Sequence, residues 1–166
     1  MYRQCHVMAK PGGAKCNIDC KYCFYHEKQS LYPQRKQHWK MSEETLEEYV
    51  KQHIAAQHSH PVTFSWQGGE PLLLGLPFFK RVVELCQRYG QGVKITHTLQ
   101  TNGILLNEEW ATFLAQHRFM VGLSVDGPET LHDRYRISHS GKGSHRFVMK
   151  ALSLLHRFQV DFNTLT

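Results

Sequence analysis

Apolar and polar positions along the chain switch between two periods, and glycine marks most of the changes. Val62, Phe64 and Trp66 alternate with Thr63 and Ser65, the period-two signature of a strand, and the run stops at Gln67-Gly68-Gly69-Glu70-Pro71. Before it, Leu46, Tyr49, Val50, His53 and Ile54 share one face at helical spacing. Ser42 supplies a cap there, and Glu43 and Glu44 an acidic first turn. This helix is expected over roughly 43–58. A second helix carries Phe79, Val82, Val83, Cys86 and Tyr89, turns at Gly90-Gln91-Gly92 and leads to a third strand at about 93–99.

Thr101-Asn102-Gly103 marks the next turn, and Asn107 with Glu108 and Glu109 starts a third helix that points Trp110, Phe113 and Leu114 inward. Met120 to Val125 reads as strand four, ended by Asp126-Gly127-Pro128. A polar loop covers about 132–146, a fourth helix presents Val148, Ala151, Leu152 and Leu155, and Val160, Phe162 and Leu165 suggest strand five. At the other end, residues 5–9 read as a short first strand followed by Pro11-Gly12-Gly13. Strands alternating with helices imply an α/β fold with a parallel sheet and right-handed crossovers, whose working loops gather at the carboxyl ends of the strands.

The 166 residues suffice for one domain and are short for a closed barrel ringed by helices. Hydrophobic residues at 41% and charged residues at 20% belong to an ordinary globular protein and argue against disorder. The net charge of +6 is spread along the chain. Its densest part, Lys28, Arg35, Lys36 and Lys40 among Gln and Tyr, reads as a solvated loop, so nucleic acid is not the favoured partner. No apolar run approaches the roughly 20 residues that span a bilayer, and Met1-Tyr2-Arg3-Gln4-Cys5 is no secretory signal. A reducing, cytoplasmic setting without membrane contact is the expectation.

That setting bears on five cysteines, three of them close together in Cys16-Asn17-Ile18-Asp19-Cys20-Lys21-Tyr22-Cys23. An odd number, clustered, points to metal binding and not to a disulfide framework. Structural zinc and four-iron sites usually take four protein ligands, so three thiolates leave a position open for chemistry. Of the twelve histidines, His26 alone stands where it could complete a Cys3His zinc site. His53, His97 and His156 read as packed or half-exposed, and His132, His139 and His145 as members of the polar loop. Cys86 falls at an apolar helix position and reads as core, whereas Cys5 is either a spare ligand or a partly buried thiol beside the first strand.

The CxxxCxxC spacing with an aromatic residue, Tyr22, before its last cysteine resembles the signature of the radical S-adenosylmethionine superfamily. The resemblance extends over nearly the whole chain. His6-Val7-Met8-Ala9-Lys10-Pro11, Cys23-Phe24-Tyr25, Ser65 to Pro71, Leu99 to Gly103 and Ser124 to Pro128 are similar to motifs of anaerobic sulfatase-maturating enzymes. It implies a partial parallel (β/α) barrel in which Cys16, Cys20 and Cys23 hold a 4Fe-4S cluster. The iron left free would take the amino and carboxylate groups of S-adenosylmethionine. It also implies that Gln67, Gly68, Gly69 and Glu70 line the cofactor pocket, Glu70 facing the ammonium group. Tyr22, Ser124 and Arg136 would meet the cofactor as well, and Tyr25 the substrate.

The activity implied is oxidation of a sulfatase Cys or Ser to formylglycine. The sulfatase polypeptide would be the substrate, and reduced flavodoxin or ferredoxin the electron donor. Family members carry six strands and a cysteine-rich extension with two further clusters. This chain is therefore expected to be an incomplete core over 1–166, truncated after about five strands and without the auxiliary-cluster domain. The family's proton-accepting aspartate has no match, so no catalytic residue is assigned. Each residue also has a plainer reading: Gln67 finishing a strand, Tyr25 packing, Arg136 pairing with Asp133 on the surface, Asp126 serving a turn, and Pro71 starting a helix. A non-catalytic iron-sulfur, zinc or interaction module on the same scaffold is the alternative.

Overall fold

The computed structural model describes residues 5–28, 30–31, 39–57 and 61–166, the side chain of His26 excepted. The described residues form one parallel sheet of β1 (Met8–Ala9), β2 (Val62–Trp66), β3 (Ile95–Thr101), β4 (Phe119–Ser124) and β5 (Phe162–Leu165), in that spatial order. A doubly wound sheet reverses its order at a switch point, whereas here each strand is laid beside its predecessor throughout. The sheet is open, with β1 and β5 at its edges, which is the winding of a partial (β/α) barrel and agrees with the expected fold class.

The helices are α1 (Tyr25–Lys28), α2 (Glu43–Ala56), α3 (Leu76–Tyr89), α4 (Glu108–Gln116), α5 (Glu129–Tyr135) and α6 (His145–Arg157), with a 3-10 turn at Pro71–Leu74. Their starts follow the sequence signals. Ser42 accepts the N–H of Thr45 at the head of α2, and Asn107 that of Trp110 at the head of α4. Among the described residues no helix is long and apolar enough to cross a membrane.

Strand residues divide by parity. Val62, Phe64 and Trp66 of β2, Leu99 of β3, and Phe119, Val121 and Leu123 of β4 are buried under the helices. Phe79 of α3 sits among Trp66, Trp110 and Phe119 with ring centroids 5.5–6.2 Å apart in edge-on arrangement. Each such side chain contributes about 1.5–3 kcal/mol by leaving water. On the opposite face Met8, Ser65, Thr98 and Met120 stand in one row, and Gln100, Gly122 and Asn163 in the next. That face is polar and partly open: Thr98 donates to Ser65 at 3.0 Å, and Thr63 and Thr96 bond at 2.9 Å.

Some expected boundaries move. The first strand shrinks to Met8–Ala9, which pair with Ser65 and Trp66 of β2. The third shifts to 95–101: Val93 N–H bonds back to Gly90 and belongs to the turn, while Thr101 pairs with Leu123. The expected polar loop at 132–146 overlaps the latter part of α5, whose one buried residue is a histidine, so the helix carries no apolar periodicity to detect. Cys86 is buried as expected, and burial pushes its thiol up to about 12. Cys5 is exposed, not partly buried, with the Gln57 amide donating to its sulfur at 3.2 Å. Of the basic stretch, Arg35 and Lys36 lie outside the described residues, and Lys28 and Lys40 reach over the rings of Phe24 and Trp39.

Candidate functional site

The cysteine loop is tied to its neighbours by backbone hydrogen bonds on both sides. Toward β2, Gln67 N–H bonds to Ala9 O at 3.0 Å and Glu70 N–H to Lys15 O at 2.8 Å. The second approach is so close that a Cβ on Gly69 would run into the Lys15 carbonyl, and Gly69 also takes a left-handed φ of 51°. A Cβ on Gly68 would fall 2.9 Å from the Lys10 side chain. The two glycines thus let the loop after β2 nest against the segment leading into Cys16. Toward β4, Asp19 N–H bonds to Ile137 O at 2.7 Å and Lys21 N–H to Tyr135 O at 2.9 Å, on either side of Cys20 and of Arg136.

Glu70 is fully buried, and its carboxylate accepts from Leu72 N–H at 2.9 Å, Thr101 Oγ1 at 2.7 Å and Asn102 N–H at 2.8 Å. These acceptor positions are filled by the chain itself, so Glu70 braces the ends of β2 and β3 together. Burial raises its pKa to about 7 against the pull of those three bonds. Asn102 passes the brace on, donating to Asn17 Oδ1 at 2.8 Å and standing 3.7 Å from Cys16 Sγ.

At the end of β4, Arg136 Nε donates to Asp126 Oδ1 at 2.7 Å, both side chains being mostly shielded from water. Tyr22 OH donates to the other oxygen of Asp126 at 2.5 Å, and the guanidinium lies 5.4 Å from the Tyr22 ring centre. Asp126 is therefore more than a turn residue, and Arg136 does not pair with Asp133, whose Oδ1 instead accepts the N–H groups of Ser144 and His145. Although the Tyr22 ring is half exposed, partial desolvation and the bond to Asp126 both raise the hydroxyl pKa, keeping it a donor.

Ser124 finds the partner that a hydroxyl on the sheet's polar face needs: Gln100 Nε2 donates to it at 3.0 Å. Gln100 lies across Gly122, where any Cβ would collide with its amide. Gln67 extends over the same face to the sulfur of Met8. Tyr25 begins α1, its ring centre 4.3 Å from that of Phe24 and 5.2 Å from Lys10 Nζ. The residues singled out in the sequence thus occupy one end of one sheet. Asp126, Gln100 and Asn102 join them through side-chain contacts that no spacing rule reveals.

None of the three cysteines forms a disulfide among the described residues. Burial raises the pKa of Cys16 and pushes that of Cys20 up to about 11, where nearby Arg136 pulls downward. Cys20 and Cys23 share one turn of the loop, Cys23 N–H bonding to Cys20 O at 3.0 Å. Burial that disfavours the thiolate of Cys16 and Cys20 is offset when a cationic group binds and supplies the opposite charge. Among the described residues no three His, Cys, Asp or Glu side chains close on a point as a single ion requires. Three cysteine thiolates are the donor set that an iron-sulfur cluster takes, and the chemistry of these residues fits that group. The His26 side chain, on which the zinc alternative rested, lies outside the described part.

An open, sequentially ordered parallel sheet with a three-cysteine loop after its first strand defines the class, and the Radical SAM superfamily model matches residues 11–166. The chain belongs to that superfamily. It is 42% identical over 160 residues to a serine-type anaerobic sulfatase-maturating enzyme of Bacteroides thetaiotaomicron, covering 96% of this chain and 38% of that one. It is 41% identical over 162 residues to a cysteine-type anaerobic sulfatase-maturating enzyme of Clostridium perfringens, covering 96% and 43%. A solved structure of native anSMEcpe with bound AdoMet and Cp18Cys peptide superposes with a TM-score of 0.84 at 38% identity, over 93% of this chain and 40% of that one. The chain spans about two-fifths of the length of these relatives.

Proposed function

We propose that this chain holds a 4Fe-4S cluster through Cys16, Cys20 and Cys23 and binds S-adenosylmethionine beside it, as the radical-initiating part of a sulfatase-maturating activity. The observation that carries the reading is the double fastening of the cysteine loop, to GGEP on one side and to the Arg136 arm on the other. A ligand set held at both flanks keeps its spacing when no metal is bound, and it sets Arg136, Asp126 and Tyr22 beside Cys20.

The residues divide the work by chemistry. Arg136 offers a fixed cation to a carboxylate, and Asp126 limits where that cation can swing. Ser124, oriented by Gln100, presents a hydroxyl on the polar face, and Gln67, Gly68 and Gly69 form the facing wall. Glu70 shapes that wall from behind. Tyr25, on the helix that follows Cys23, is assigned to the substrate side of the pocket. When bound, the reduced cluster and S-adenosylmethionine supply one-electron, hydrogen-abstracting chemistry. The likeness to both serine-type and cysteine-type enzymes supports a sulfatase Cys or Ser as the target. An external one-electron donor, such as reduced flavodoxin or ferredoxin, is proposed as partner.

The test is anaerobic reconstitution followed by dithionite reduction with S-adenosylmethionine. Roughly four iron per chain and formation of 5'-deoxyadenosine are expected, both lost when Cys16, Cys20 and Cys23 are replaced together. Iron uptake unchanged in the triple variant would falsify the ligand assignment. A cluster-loaded chain that releases no 5'-deoxyadenosine would instead mark a non-catalytic module.

A further inference from the structure

His132 of α5 is completely buried, yet it is polar, and the proposed function gives it no role. Its two ring nitrogens are both engaged. Asp126 N–H lies 3.2 Å from Nδ1, and Ser144 Oγ lies 3.0 Å from Nε2. Ser144 Oγ in turn donates to Arg136 O at 2.7 Å. A backbone N–H can only donate and a carbonyl can only accept, so each proton in this chain has one place. Nδ1 is the acceptor, Nε2 carries the hydrogen, and Ser144 receives it while passing its own proton to Arg136 O.

The ends of that chain are the two residues of the 2.7 Å ion pair. A closed loop results: the side chains of Asp126 and Arg136 meet directly, while their backbones are joined through His132 and Ser144. Ser144 precedes α6, and its hydroxyl makes no cap bond to that helix. Asp133 does the capping, accepting Ser144 and His145 N–H at 2.8 Å each, which leaves the Ser144 hydroxyl free for the loop. Arg136 N–H also bonds to His132 O at 2.8 Å.

We infer that His132 is a positioning residue for the cofactor pocket, fixing through Ser144 and the Asp126 backbone where the Arg136 guanidinium stands. The inference rests on Arg136 being a cofactor contact. His132 reaches the pocket only through other residues, so its effect falls on affinity and on Arg136 geometry and leaves iron uptake alone. Outer partners that orient a contact residue are commonly worth about tenfold or more in binding.

The experiment compares wild type with His132→Leu, His132→Asn and Ser144→Ala. It uses equilibrium binding of S-adenosylmethionine to the anaerobically reconstituted chain and the NMR signal of Arg136 Nε–H in the cluster-free chain. H132L and S144A are expected to lose about tenfold in affinity and to shift or broaden the Arg136 signal, with iron content unchanged. H132N, whose side-chain oxygen can still accept Asp126 N–H, is expected to keep most of the binding. Should H132L not fold, S144A and H132N carry the comparison. Wild-type affinity in S144A, an unmoved Arg136 signal alongside weakened binding, or equal loss in H132N and S144A each overturns the positioning role. A wild-type chain that takes up iron and binds no S-adenosylmethionine overturns the cofactor reading, and this one with it.

Discussion

Glu70, on the loop after β2, accepts the backbone N–H of Asn102, just past β3, at 2.8 Å inside a fully buried site. One side chain therefore joins two strand ends, and through Asn102 it reaches Asn17 and the Cys16 sulfur. Glu70→Gln places an amide against donors, leaving at least one unpaired at a cost of about 1–3 kcal/mol. The pH dependence has a definite sign. Glu70 has its pKa raised from 4.5 to about 7, so its contribution is full below pH 4.5 and is lost as pH rises through 7. Denaturant unfolding of wild type and E70Q across that window should show wild type losing about 3 kcal/mol relative to E70Q. A constant gap would mean that the carboxylate is ionised throughout.

His97 gives the opposite slope. It is buried on β3, stacks on Phe119 at 4.5 Å and stands 3.4 Å from Trp66 Nε1, which donates to its Nδ1. Burial lowers its pKa from 6.5 to about 4, so its stabilising effect is present above pH 6.5 and lost as pH falls through 4. Relative to His97→Gln, wild type should lose about 3 kcal/mol over that range, read by the same unfolding measurement. Between pH 4.5 and 6.5 the Glu70 and His97 dependences oppose each other, and each single variant should uncover the other's slope.

Arg136→Gln should change the acidity of one cysteine selectively. The guanidinium pulls Cys20 down from an even higher value, and it is not among the groups acting on Cys16. Alkylation of the cluster-free chain followed by peptide mass spectrometry should show the Cys20 pH profile moving up in R136Q while that of Cys16 stays. Equal movement of both would point to a general rearrangement of the loop.

Gly122→Ala separates site from scaffold. The new methyl would meet the far end of the flexible Gln100 side chain, which can swing aside, so stability should change by less than about 1.5 kcal/mol. The Gln100 bond to Ser124 is broken by that swing, and affinity for S-adenosylmethionine should fall. Normal unfolding with undiminished binding would remove Ser124 from the pocket.

Period and punctuation made the sheet legible in the sequence. Val62–Trp66 is found where the alternation of Val, Phe and Trp sets it, and α6 spans His145–Arg157 as its apolar face required. The motif loops followed, because sequential parallel strands bring their carboxyl ends to one rim. What stayed hidden depends on contacts made across the fold. Asp126 looks like a turn residue until Tyr22, 104 positions away, donates to it, and Arg136 chooses Asp126 over the nearer Asp133. His132 reads in the sequence as part of a polar loop because a seven-residue helix with one inward histidine offers no hydrophobic repeat. The resemblance set the glycines of GGEP beside the cofactor, and the fold adds what the sequence did not show, that Gly69 packs against the backbone of Lys15.

The parity of the strands couples core and pocket in a way that point substitutions do not probe. Along Ile95–Thr101, His97, Leu99 and Thr101 turn toward the helices and Thr98 and Gln100 toward the polar face. Removing a single residue early in β3 would exchange the two sets, driving Gln100 among aromatic rings and leaving Leu99 on the open side. The strand thus tolerates change of side chain position by position, but its length between the Gly90-Gln91-Gly92 turn and Asn102 is fixed by two requirements at once.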